Sequence, residues 1–233
     1  MQWLSLRNTL VKIVNKKAFI YSVFAVIVLV LLEQLFGLQY ISKQVARIIL
    51  FVAIPLVIIY FIRGSNIKEE IQFEKPTLKE LKIPLISSLV IFLGTIGGYA
   101  LIQFMFDASK VVEGLEEIGI GMHNVWLWGI YLSFINSLIE EFFFRGYVYF
   151  VLEKKSTKLA IVVSSMMFSF YHVVLMISLF DVWTVVFTVV GLFIVGVFLA
   201  YINRFGKSFI NSWIIHISAD IAVVLIGIYM FTM

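Results

Sequence analysis

Seven long apolar runs, each close to the length of a bilayer-spanning helix, govern what this chain can fold into. They fall at roughly residues 18–38, 44–62, 83–106, 125–150, 159–180, 183–202 and 209–232. A helix needs about 20 apolar residues to cross the hydrocarbon layer, where every backbone polar group must find its partner within the protein. A transmembrane barrel would alternate apolar and polar residues along short segments. Here the runs are continuous, so the expected fold is all-α, a polytopic helical membrane bundle of about seven transmembrane helices. Of the 233 residues, 62% are hydrophobic and 14% charged, against about 25% charged in soluble domains. Such a chain cannot clothe itself in polar surface, which excludes a soluble domain and a disordered tail. The net charge of +4 points to anionic lipid at cytoplasmic loops and not to nucleic acid. The absence of cysteine excludes disulfides, thiolate metal sites, a cysteine nucleophile and a lipidated cysteine.

Residues 1–17 mix Trp3, Leu4, Leu6 and Leu10 with Arg7, Lys12, Lys16 and Lys17, a composition suited to a helix lying in the membrane interface. The apolar run that follows resembles a signal peptide's, but it extends for about 20 residues without a small-residue cleavage site and is read as a retained span. Residues 18–124 hold N-terminal spans and loops without a catalytic motif, and residues 125–233 hold the polar core. Pro55 is expected to kink the second span. Pro84 opens the third, where a missing N–H costs nothing. Gly94 and Gly98 form a GxxxG step that permits close helix packing. With the N-terminus in the cytoplasm, inside segments carry 14 Lys and Arg, while outside segments carry only Lys43, Arg47 and Lys110. The positive-inside rule therefore predicts a cytoplasmic N-terminus and an external C-terminus. Residues 107–124, with Asp107, Glu113, Glu116, Glu117 and a solvated His123, are expected to be an acidic external loop.

The informative residues are those that an apolar span should not contain. The fourth run holds Glu140, Glu141 and Arg145, the fifth His172, and the seventh His216 and Asp220. One charge at the bilayer centre costs about 2.5–3.5 kcal/mol, so these groups must meet one another or water inside the bundle. Glu141 and Arg145 are spaced i,i+4 and share a helix face, as do His216 and Asp220, and Phe168 and His172. At about 1.5 Å per residue, Glu140, His172, His216 and Asp220 fall into one middle layer. There a glutamate can take a proton from water while a histidine orients it, and a second histidine with a short polar partner can donate to an oxyanion. Two histidines and a carboxylate, here Glu140, His172 and His216, are also a ligand set for zinc. No HExxH pair is present and the histidines lie on separate helices, so this reading requires no metal or other cofactor. Phe142, Phe143 and Phe144 are expected to face lipid or pack.

Read together, Glu140-Glu141-Phe142-Phe143-Phe144-Arg145 forms EExxxR, Phe168 to His172 forms FxxxH, and His216 to Asp220 forms HxxxD. In this order, on successive spans, the chain resembles the CPBP family of intramembrane proteases, the CAAX-processing and bacteriocin-processing enzymes also called Abi proteins. The resemblance covers about residues 125–225. It implies endopeptidase cleavage of a membrane-associated peptide or protein, with Glu140 as the base and His172 as its partner on the water. It further implies His216 and Asp220 on the oxyanion side, and Glu141 and Arg145 shaping and charge-balancing the site. Many members carry Asn where this chain has Asp220, and an ionised Asp cannot donate a hydrogen bond. The family has been described both as metal-dependent and as glutamate-dependent. By analogy the expected setting is a bacterial or archaeal plasma membrane, with processing of a peptide pheromone or bacteriocin. Two other classes stay open: a non-catalytic scaffold or immunity protein on the same fold, and a proton-coupled transporter. The second would show inverted repeats, and none is found.

Overall fold

The computed structural model describes residues 16–32, 40–62, 76–105, 107–177, 182–206 and 208–233. The interfacial segment expected over 1–17 lies almost wholly outside them. Among the described residues the fold is all-α, with no strand. The helices are α1 (residues 16–32), α2 (40–62), α3 (Lys82–Ile102), α4 (Ala108–Glu117), α5 (125–153), α6 (Thr157–Met176), α7 (Val182–Gly206) and α8 (Phe209–Met230). Seven of them stand on the seven apolar runs. Four are long and apolar enough to cross a membrane by length and composition: Ser42–Tyr60 within α2, and α3, α7 and α8. The other three long helices fall short of that measure. α6 offers the shorter stretch Thr157–Val173, α1 is described over 17 residues, and α5 carries its carboxylates and arginine in mid-helix.

The eighth helix corrects the sequence reading of residues 107–124. That segment is not simply a loop, because Ala108–Glu117 winds into α4. Its apolar Val111 is buried, and the helix packs on α8. Such a helix needs one apolar stripe and not an apolar run. Gly119, at φ +84, then turns the chain toward α5 in a conformation glycine adopts without strain. His123 is exposed, as expected.

Local signals account for the ends of the helices. The Ser156 hydroxyl accepts from the Leu159 N–H at the start of α6, and Ser208 does the same for Ile210 at the start of α8, each tying down an otherwise unpaired amide. Pro84 sits in the first turn of α3. Pro55 lies inside α2 between two π-helical segments, Ile49–Ala53 and Ile58–Ile62. The wider turns accommodate a residue that lacks an N–H and crowds the preceding carbonyl.

α5 is the axle of the bundle. Every residue from Ile139 to Leu152 is buried, so α1, α2, α6 and α8 wrap it on all sides. Phe142, Phe143 and Phe144 are therefore packing residues and do not face lipid. Phe51 of α2 stacks on Phe143 with ring centroids 3.9 Å apart and meets Phe144 edge-on. α6 lies along α7, and α8 lies along α3, where the Ser218 hydroxyl donates to the Ser88 carbonyl. α5 and α8 approach closely at Gly129, where an added Cβ would stand 2.6 Å from Val224. The GxxxG step behaves otherwise. A Cβ at Gly94 or Gly98 would meet nothing within 4 Å, so among the described residues that step packs no helix. α3 rests one face on α8 and the Leu199–Ile215 cluster through Ser88 and Ile91 and leaves its other apolar side chains exposed, with none of its window fully buried, as a helix at the lipid-facing edge of a bundle does.

Candidate active site

The six polar residues singled out from the sequence meet at one place, where α5, α6 and α8 converge. Glu140, Glu141 and Arg145 are fully buried on α5. They lie on or beside the short segment Ser137–Glu141, flanked by π-helical stretches Tyr131–Asn136 and Phe142–Tyr149. Such wide turns occur often at functional sites. Adjacent glutamates on a helix point about 100° apart, and here they serve different partners.

Glu141 Oε1 accepts from Arg145 Nη1 and from His216 Nδ1, each at 2.9 Å. The Arg145 guanidinium lies 4.1 Å from the Phe168 ring centroid, so its charge meets a carboxylate on one side and an aromatic face on another. This places Arg145 as counter-charge to Glu141. Glu140 Oε1 accepts from Asn136 Nδ2 at 2.9 Å. Its other oxygen, Oε2, has no hydrogen-bond partner. It lies 3.6 Å from His172 Nε2 and 3.9 Å from His216 Nε2, too far for direct hydrogen bonds.

The histidine tautomers follow from their other nitrogens. His172 Nδ1 lies 2.8 Å from the Phe168 carbonyl, which can only accept. Nδ1 therefore carries the proton, and Nε2 of the neutral ring presents a lone pair. His216 Nδ1 likewise donates to the Glu141 carboxylate, leaving Nε2 toward Glu140 and toward Asp220 Oδ1 at 3.6 Å. Asp220 Oδ2 is also without a partner. The side chains of His172 and Asp220 retain 16% and 15% exposure, against 2% for Glu140 and 0% for Glu141. The site therefore opens on the α6 and α8 side and is closed beneath by α5.

A metal can be weighed against this geometry. Zinc ligands at about 2.0–2.1 Å on a tetrahedral centre stand about 3.3 Å apart. The separations from Glu140 Oε2 are wider, and no group of three such side chains among the described residues is set to hold a metal. If a metal bound, Glu140, His172 and His216 would supply its ligands.

Sequence reasoning missed two residues of this cluster. Asn136 lies one turn before Glu140 and binds it; its signal is a buried amide at i−4 from a carboxylate. Arg47 counts with an external segment in the sequence reading, but it is a buried residue of α2 whose guanidinium donates to Asn136 Oδ1. It stands near the end of an apolar run, where an arginine normally reaches out to the interface. The external count of the orientation argument drops by one and keeps its sign.

A helical bundle with several apolar, membrane-length helices and a buried Glu-Glu-Arg helix facing two histidines defines the class as a multi-pass membrane protein. Residues 122–222 match the family model described as type II CAAX prenyl endopeptidase Rce1-like. That model belongs to the CPBP family, and residues 122–222, which carry the three motifs, are similar to it. At the level of the family this supports a CAAX-type intramembrane endopeptidase. No curated protein and no solved structure matches the chain.

Proposed function

We propose that this protein hydrolyses a peptide bond of a membrane-associated peptide or protein, using a water activated by Glu140. The observation that carries the reading is the set of acceptors around one small space. Glu140 Oε2 and His172 Nε2 face each other at 3.6 Å, neither can donate to the other while Glu140 is ionised and His172 is neutral, and His216 Nε2 stands 3.9 Å from the same carboxylate oxygen. A water supplies the two donors that such a space lacks.

The steps balance without a covalent intermediate. The water oxygen attacks the scissile carbonyl carbon as its proton passes to Glu140 Oε2, with His172 Nε2 accepting the second O–H and holding the water in line. The carbonyl electron pair moves to oxygen. His216, protonated on both nitrogens with Glu141 as its counter-charge, donates from Nε2 to that oxyanion. Asp220, carrying a proton, supplies the second donor. The C–N bond then breaks, and the leaving nitrogen takes the proton from Glu140, giving a carboxylic acid and an amine. The reading requires no cofactor. The substrate is a peptide reaching the site from the membrane, with pheromone or bacteriocin precursors as the favoured class. The favoured setting is a plasma membrane with the N-terminus cytoplasmic and the C-terminus outside.

Comparative peptidomics of cells carrying the wild type or Glu140→Gln tests this. Peptides released only by the wild type are expected. Equal peptide sets, with the biological effect retained by Glu140→Gln, would replace the protease by a scaffold.

A further inference from the structure

The two oxygens of Glu140 have unlike surroundings, and the cause lies outside residues 122–222. Oε1 is tied to Asn136 Nδ2 at 2.9 Å, which leaves Oε2 aimed at the two histidines. An asparagine amide offers donors at one end and an acceptor at the other, so alone it could face Glu140 either way round once that carboxyl takes up a proton. Arg47 removes that freedom. Its guanidinium donates to Asn136 Oδ1, and an arginine has donors only. Asn136 must turn Oδ1 to α2, and its N–H₂ must then face Glu140.

Arg47 is itself held in place. Its Nη1 also donates to Gln44 Oε1 at 3.2 Å, and that oxygen accepts from the Tyr131 hydroxyl at 2.7 Å. The guanidinium carbon lies 5.4 Å from the Tyr171 ring centroid. One turn along α2, Phe51 stacks on Phe143. The whole chain from Arg47 through Asn136 to Glu140 is buried, at 6%, 5% and 1% exposure. Buried polar chains hold a single arrangement when every link is made.

We infer that Arg47 and Asn136 are positioning residues of the hydrolysis proposed above. Arg47 sets the direction of the Asn136 amide, and Asn136 holds Glu140 so that Oε2 alone meets the water. The N-terminal spans are then part of the catalytic machinery and not merely its membrane anchor. This inference rests on the protease reading.

The experiment uses a peptide whose release in cells depends on Glu140, made synthetically and supplied to purified full-length variants in phosphatidylethanolamine–phosphatidylglycerol vesicles. Asn136→Asp keeps the shape of the side chain and a partner for Arg47 but removes the N–H₂; it should lower kcat by roughly 10- to 100-fold at unchanged KM. Arg47→Gln, which can present donor or acceptor, should lose about tenfold in kcat. Arg47→Lys, a donor-only cation, should recover most of that loss. In the Asn136→Asp background, Arg47→Gln should cost nothing further, because Arg47 acts through Asn136. Wild-type kcat in Asn136→Asp, or additive losses in the double variant, would overturn the positioning role while leaving the protease in place. If Arg47→Gln does not fold, Asn136→Asp and Arg47→Lys still decide the matter. Absence of any Glu140-dependent peptide would end the protease reading and this inference with it.

Discussion

Glu141 and His216 stand 75 residues apart in the chain and share a hydrogen bond of 2.9 Å between Oε1 and Nδ1. That bond decides which edge of the imidazole looks at Glu140. It also gives the two adjacent glutamates different roles. Glu141 holds a histidine and an arginine, and Glu140 keeps an oxygen free.

Glu140→Gln and His172→Ala should each abolish peptide release while the protein remains folded. The amide matches the carboxylate in shape but cannot take a proton from water. Release assays on purified variants, with thermal unfolding as the check on folding, read the outcome. Normal turnover by Glu140→Gln would remove the general base from the scheme.

Asp220 separates two roles. Glu141 already occupies His216 Nδ1, and Asp220 lies on the Nε2 side, where a donor to the oxyanion is wanted. Asp220→Asn should therefore keep most activity, while Asp220→Ala should lose about 10²-fold or more. Equal inactivity of the two variants in folded protein would return Asp220 to an orienting role through its charge.

Glu141→Gln should destabilise the fold as well as the site, because it leaves the Arg145 charge, at 0% exposure, without its counter-ion. Breaking a buried pair costs about 3–5 kcal/mol. A lowered unfolding midpoint in detergent is expected, with partial recovery in Glu141→Gln/Arg145→Met, where the unpaired charge is gone. A midpoint equal to the wild type's would show that the pair adds nothing.

Chelation should leave turnover of the purified protein unchanged if Glu140 and His172 alone activate the water. Loss of activity with a chelator and its return with zinc would make Glu140, His172 and His216 metal ligands and give the activated water to the metal.

Orientation can be read directly because the chain has no cysteine of its own. Lys155→Cys, in the turn between α5 and α6, should react with an impermeant thiol reagent only from the cytoplasmic side. Glu117→Cys, at the end of α4, should react only from outside. The reverse pattern would invert the membrane topology.

The sequence alone determined the seven long helices and six members of the buried polar cluster. Continuous apolar runs leave the backbone no choice but to satisfy itself within each segment, and a charge in such a run must find company. Glu140, Glu141, Arg145, His172, His216 and Asp220 are therefore legible as one cluster from the chain itself. The short helix α4 is not legible, since its ten residues carry an apolar stripe too brief to stand out among acidic neighbours. The pairing within the site belongs to the tertiary structure. Spacing along α5 says that Glu141 and Arg145 share a face, but not that His216 arrives there on its Nδ1. Nor does it say that Phe168 takes the arginine on its ring, or that Glu140 is left with one unpartnered oxygen. The same holds for Arg47. In the chain it is an arginine near the end of an apolar run; only the packing of α2 against α5 carries it inward to Asn136. Helical periodicity fixes neighbours one turn apart, whereas contacts between helices depend on crossing and depth, which no local pattern encodes.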